Sequence, residues 1–140
     1  MLERTIVNGN SMLPSFSGGD VCLTKKFMIE PERYDVVVAK VEGKTVIKRV
    51  IGLPGEVIEL RDGMVYINDK KVKREYDFYT EDGGLINESY ILAKNEYFLM
   101  GDNRNESYDS RKFGSVKKEN IRGIVVARIY PFSEIEIYSR

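Results

Sequence analysis

The sequence predicts a mostly-β domain, a barrel-like antiparallel sheet with long loops. Three observations lead there. From Val36 to Lys73, short runs of branched and aromatic residues follow one another across two- and three-residue turn signals, the pattern of a β-meander. A second long branched run, Gly123–Tyr130, stands near the end of the chain. Against these strands there is one short helical turn, over Lys117–Arg122, and no repeat or low-complexity segment. At 140 residues and 42% apolar content, the chain reads as a single globular domain over 1–140 with a core of its own.

Taken in order, Thr5–Phe16 reads as a short extended segment that enters a loop punctuated by Gly9 and Pro14. Ser17-Gly-Gly-Asp20 is a turn before the strand Val21–Thr24, and the polar turn Glu30–Asp35 launches Val36–Val41. Glu42-Gly-Lys44 is a hairpin loop that returns through the strand at Val46–Ile51. Gly52-Leu-Pro-Gly55 breaks that strand. Val57–Leu60, Met64–Ile67 and Lys71–Lys73 then alternate with turns at Asp62-Gly63 and Asn68-Asp69. Residues 75–95 are polar, aromatic and irregular, a loop-rich insertion. Asn95–Met100 is a strand and Gly101–Arg111 a loop, and the tail Glu134–Tyr138 alternates as an edge strand.

Composition excludes several kinds of chemistry. The chain has no histidine, which rules out a Ser-His-Asp triad, a Cys-His dyad and the usual histidine-containing zinc sites. A hydrolase built on this chain must take its base from Lys, Asp, Glu or Tyr. Twenty-two basic residues balance twenty-two acidic ones, so nothing electrostatic points to nucleic acid. The lone cysteine, Cys22, sits in an apolar run and reads as core. No window reaches the roughly 18 consecutive apolar residues of a membrane span, so the chain as it stands reads as soluble.

Lys48 is the unusual residue. Alternation puts Val46, Lys48 and Val50 on one face of their strand and Ile47, Arg49 and Ile51 on the other. A lysine among valines is costly while charged. Desolvation lowers its pKa and brings a neutral amine within reach near neutral pH, which a lysine general base requires. An exposed sheet position is the plainer reading of this strand alone, and Ser11, ahead of Pro14, is by itself a turn serine.

Three stretches change that balance. Gly9-Asn-Ser-Met-Leu-Pro14, Val46-Ile-Lys-Arg-Val-Ile-Gly-Leu-Pro-Gly55 and Gly101-Asp-Asn-Arg-Asn-Glu-Ser-Tyr-Asp-Ser-Arg111 resemble, in that order, the serine, lysine and C-terminal boxes of the type I signal peptidases. Those enzymes are serine proteases with a Ser-Lys dyad. Arg33-Tyr-Asp-Val-Val-Val-Ala39 is similar to the strand that the family places before its lysine strand. The likeness runs from about Ile6 to Gly114, and generic turn chemistry does not produce the last box.

The resemblance implies that Ser11 is the nucleophile and Lys48 the general base, with Ser107 orienting the lysine amine. It implies that Asp102, Arg104, Asp109 and Arg111 hold their loop against the active site as ion pairs, with Arg49 a partner for one of them. The Ser11 main-chain N–H is the natural oxyanion donor. Gly9 stands where some members carry a serine hydroxyl for that purpose. Met12 lines the substrate pocket, and Ser15 replaces the family's usual threonine. No cofactor or metal is implied.

The implied substrates are preprotein signal peptides, cut after small residues at an Ala-x-Ala type site and bound as an extended strand. The implied full-length protein is anchored in a membrane with its catalytic domain on the extracytoplasmic face, its upstream transmembrane segment missing here. A lipid surface is then a partner, and Phe16, Phe27, Met28 and Ile29 either face it or belong to the core. Nothing reads out an oligomeric state. Two rivals stand beside this reading. A self-cleaving LexA-type repressor would need a helix-turn-helix domain and an Ala-Gly scissile segment upstream. A catalytically silent, signal-peptidase-like chaperone should have lost its serine or its lysine, and both are present.

Overall fold

The computed structural model describes residues 1–138. In chain order its strands are β1 (Leu2–Ile6), β2 (Val21–Lys25), β3 (Val36–Val41), β4 (Lys44–Gly52), β5 (Val57–Arg61) and β6 (Met64–Ile67). They continue as β7 (Lys70–Lys71), β8 (Tyr90–Ile91), β9 (Glu96–Met100), β10 (Val116–Lys117), β11 (Ile121–Tyr130) and β12 (Glu136–Ile137). One antiparallel sheet runs β1-β2-β11-β3-β4-β9-β10, with β12 beside β11. A smaller one runs β7-β6-β5-β8. The expected tight hairpins are present. Glu42-Gly43, Asp62-Gly63 and Asn68-Asp69 all have positive φ at both positions, the backbone of turns whose twist matches the strands they join.

Register shifts curl the large sheet. They fall between Val125 and Ala127 and between Arg128 and Tyr130 against β2, between Ile121 and Gly123 against β3, and between Val50 and Gly52 where β4 meets β9. The curl does not close into a barrel, because β1 and β10 remain edges. Among the described residues, β1 is paired on one side only. β4 is paired with β3 along Lys44–Arg49, whereas β9 joins it only from Arg49 onward. Among the described residues, the segment Thr45–Lys48 therefore has one sheet neighbour.

Three apolar clusters fill the interior. Ile51, Ile58, Val65, Ile86, Leu92 and Phe98 lie between the two sheets. Val37, Val50, Leu99 and Ile124 pack along the middle of the large sheet, and Val7, Met12, Phe16, Cys22 and Val125 pack under the loop after β1. Cys22 is fully buried, which pushes its thiol up to about 11 and makes it an inert core residue, as expected.

The apolar loop residues divide. Phe16 is buried against Tyr138 and the Arg128 guanidinium, and Ile29 is half-buried, so both belong to the core. Phe27 and Met28 are 65% and 79% exposed. The stretch 75–95 is irregular, with 3-10 turns at Arg74–Tyr76 and Gly84–Asn87. Yet it buries Thr80, Ile86 and Leu92 almost completely.

Candidate active site

β4 carries two buried basic residues side by side. Alternation sends Lys48 and Arg49 to opposite faces, and they are 5% and 7% exposed. The Lys48 Nζ donates to Ser107 Oγ at 3.2 Å. Ser107 Oγ in turn donates to Asp109 Oδ2 at 2.8 Å. Asp109 is fully buried and also accepts from the Gly101 N–H and from Arg111 Nε and Nη2, each at 2.9 Å. Its Oδ1 caps the short helix α1 (Ser110–Phe113) through the Arg111 N–H. Burial pushes the Lys48 amine below its ordinary value. Asp109 works against that shift, and Arg111 adds to it.

The other face of β4 holds the loop that carries Ser11. Arg49 forks onto Asp102, Nε to Oδ1 at 3.0 Å and Nη2 to Oδ2 at 2.8 Å, and its Nη1 donates to the Tyr34 carbonyl. Asp102 Oδ2 also accepts from Ser15 Oγ at 2.6 Å. The hydroxyl kept at position 15 thus ties one end of the loop. Asn103 ties the other, its backbone N–H donating to the Ser11 carbonyl at 2.9 Å and its Nδ2 to the Asn10 carbonyl at 3.0 Å. Gly9 opens the loop at φ +75, a backbone that favours glycine.

Ser11 and Lys48 line one cleft of about 170 Å³, together with Thr5–Asn8 of the first strand and its exit and with Thr45–Ile47 of β4. Met12 lines it as well and is also buried in the core. Gly101 makes the close approach possible. A Cβ there would lie 2.2 Å from Ser107 Oγ and 2.6 Å from the Ser11 carbonyl. The groups singled out in the sequence are therefore assembled from three segments far apart in the chain.

Arg104 departs from the expected pattern of ion pairs. Its hydrogen bonds go to carbonyls and a hydroxyl: Gly101 O (2.9 Å), Tyr76 O (3.0 Å), Phe78 O (3.3 Å) and Thr80 Oγ1 (3.1 Å). Backbone carbonyls that turn toward a buried guanidinium satisfy it without a carboxylate. Sequence reading also gave no role to Asn103, although it stands inside the last box, or to Thr80, which no motif marks.

Similarity to known proteins establishes the family. Residues 1–130 match the family model described as signal peptidase, peptidase S26. The chain belongs to this family. Signal peptidase I S of Bacillus subtilis (strain 168) is 35% identical, over 93% of this chain and 78% of that protein. Signal peptidase I of Bacillus caldolyticus is 36% identical, over 96% and 82%. The chloroplastic thylakoidal processing peptidase 1 of Arabidopsis thaliana is 31% identical, over 96% of this chain and 44% of its own length. The crystal structure of a signal peptidase I from Enterococcus faecalis V583 superposes with a TM-score of 0.58 at 34% identity, covering 69% of this chain and 97% of that one. The signal peptidase described here is thus a serine endopeptidase that cleaves signal peptides. Among its described residues, no helix is long and apolar enough to cross a membrane.

Proposed function

We propose that this signal peptidase works through a Ser11–Lys48 dyad and cuts preproteins after small residues. In the first step, Ser11 Oγ attacks the scissile carbonyl carbon and passes its proton to the neutral Nζ of Lys48. The oxyanion accepts from the Ser11 main-chain N–H. As the C–N bond breaks, the Lys48 ammonium returns that proton to the leaving amine and an ester remains on Ser11. Water then attacks the ester, gives its proton to Lys48, and Ser11 leaves with it.

One observation supports this reading above the others, the direction of the chain Lys48–Ser107–Asp109. An ionised carboxylate only accepts, so the Ser107 hydrogen belongs to Asp109 and the Ser107 lone pairs face the amine. Lys48 must donate to Ser107. Its own lone pair is left for the cleft that it shares with Ser11.

Substrate binding follows from the strands. β1 and the segment Thr45–Lys48 of β4 both have an unpaired edge, and both border the cleft. An extended peptide hydrogen-bonds to such edges, and the cleft has room for the small side chains of an Ala-x-Ala site. The exposed Met1, Leu2, Phe27 and Met28 gather where β1 starts and β2 ends, joined by the Lys26 N–H to the Met1 carbonyl. They are the groups to rest on a lipid surface. The test is cleavage of a preprotein with an Ala-x-Ala site, in detergent or lipid, with sequencing of the new N-terminus. Cleavage after the second alanine, lost in Ser11→Ala and Lys48→Ala, is expected. Cleavage that survives Lys48→Ala overturns the dyad.

A further inference from the structure

We infer that residues 76–82, outside every catalytic box, form a strap that positions the dyad, with Thr80 as its central positioning residue. The strap reaches all three buried arginines around the site. The Tyr76 ring lies 4.6 Å from the Arg49 guanidinium, which forks onto Asp102. The carbonyls of Tyr76 and Phe78 and the Thr80 hydroxyl accept from Arg104. The Asp82 carbonyl accepts from Arg111 Nη1 at 3.1 Å.

Thr80 is the buried member, 1% exposed, while its neighbour Tyr79 is 61% exposed. Its own N–H is fixed to the Gly63 carbonyl at 2.9 Å, and its hydroxyl donates to the Phe78 carbonyl at 3.0 Å, which leaves the oxygen lone pairs for Arg104. The strap is thereby anchored to the β5–β6 hairpin on one side and to the catalytic loop on the other.

From Arg104 the connection reaches the reacting groups in one step. Arg104 Nε holds the Gly101 carbonyl, and Asp109 holds the Gly101 N–H. Gly101 is the residue packed against both Ser107 Oγ and the Ser11 carbonyl. Where Gly101 sits therefore sets the spacing between the serine that carries the nucleophile and the serine that holds Lys48. None of the described residues 76–82 lines the substrate cleft. Loosening the strap should change the chemical step and leave substrate binding alone.

This inference rests on the dyad reading, and one experiment separates the two. Cleavage of the Ala-x-Ala preprotein is measured for wild type, Thr80→Val, Thr80→Ser, Arg104→Lys, Ser11→Ala and Lys48→Ala, well below each variant's melting temperature. Thr80→Val keeps the shape and removes the acceptor. The expected result is kcat lower by about tenfold with KM unchanged, and recovery of most of that loss in Thr80→Ser. Arg104→Lys keeps the charge, loses the fork, and gives the same split; it carries the test if Thr80→Val does not fold. Wild-type kcat in Thr80→Val, or in Arg104→Lys, beside inactive Ser11→Ala and Lys48→Ala overturns the strap while the dyad stands. Activity in Lys48→Ala overturns the dyad instead. A melting temperature that falls without any change in kcat reduces the strap to a structural role and also overturns the inference.

Discussion

In the proposed mechanism, Ser107 is the residue that orients the Lys48 amine. Ser107→Ala removes one hydrogen bond from Lys48 and one from Asp109, whose ion pair with Arg111 stays intact. The amine is then free to rotate, and kcat should fall roughly 10- to 100-fold while stability changes by only about 1 kcal/mol. Steady-state kinetics beside a denaturant titration check this, and equal losses in both would contradict it. Lys48 itself is the opposite case, a group that costs stability. Its folded pKa is depressed, so across the window between that value and the unfolded one near 10.4 the folded protein binds fewer protons than the unfolded chain. Its penalty is therefore largest at low pH and fades as pH rises through that window. Lys48→Met should be inactive and melt no lower than wild type at pH 7, with its advantage shrinking toward pH 10. A melting curve that drops at pH 7 would mean that the charged amine is stabilising. In wild type, kcat/KM should rise with pH as the depressed lysine loses its proton.

At the scale of elements, β4 was legible and the strap was not. Period-two alternation assigned Lys48 and Arg49 to opposite faces, and the structure has Lys48 at the cleft and Arg49 on Asp102. The hairpins were legible as well, because Asn, Asp and Gly supply the positive φ that their turns need. The strap escapes because most of what it offers is backbone carbonyl, and every residue type carries one. Arg104 escapes for the same reason, since a partner without a side-chain signature leaves only the arginine visible. Phe16 and Phe27 show the remaining gap. Both are aromatic residues in loops, yet one is 3% and the other 65% exposed. That difference comes from Tyr138 and Arg128, more than a hundred residues along the chain from Phe16.

At the scale of the whole molecule, the exposed apolar end and the catalytic cleft are separable. Met1, Leu2, Phe27 and Met28 lie at the start of β1, whereas the cleft begins at Thr5 and continues past its end. Phe27→Ser with Met28→Ser should lower binding to anionic phospholipid vesicles by tenfold or more, given about 1.5–3 kcal/mol for burying each large apolar side chain. Cleavage of a short soluble peptide should stay as in wild type. Unchanged vesicle sedimentation would remove these residues from the lipid contact.

The curled sheet that stops short of closure has one more consequence. A strand pair completed within the chain would stabilise the fold at all times, but it would occupy the edges on which an extended peptide must lie. If the preprotein adds as a strand, as proposed, each client completes the ladder in turn, and its binding adds to the stability of the fold. The protein's melting temperature should then rise with the concentration of an uncleavable signal-peptide analogue.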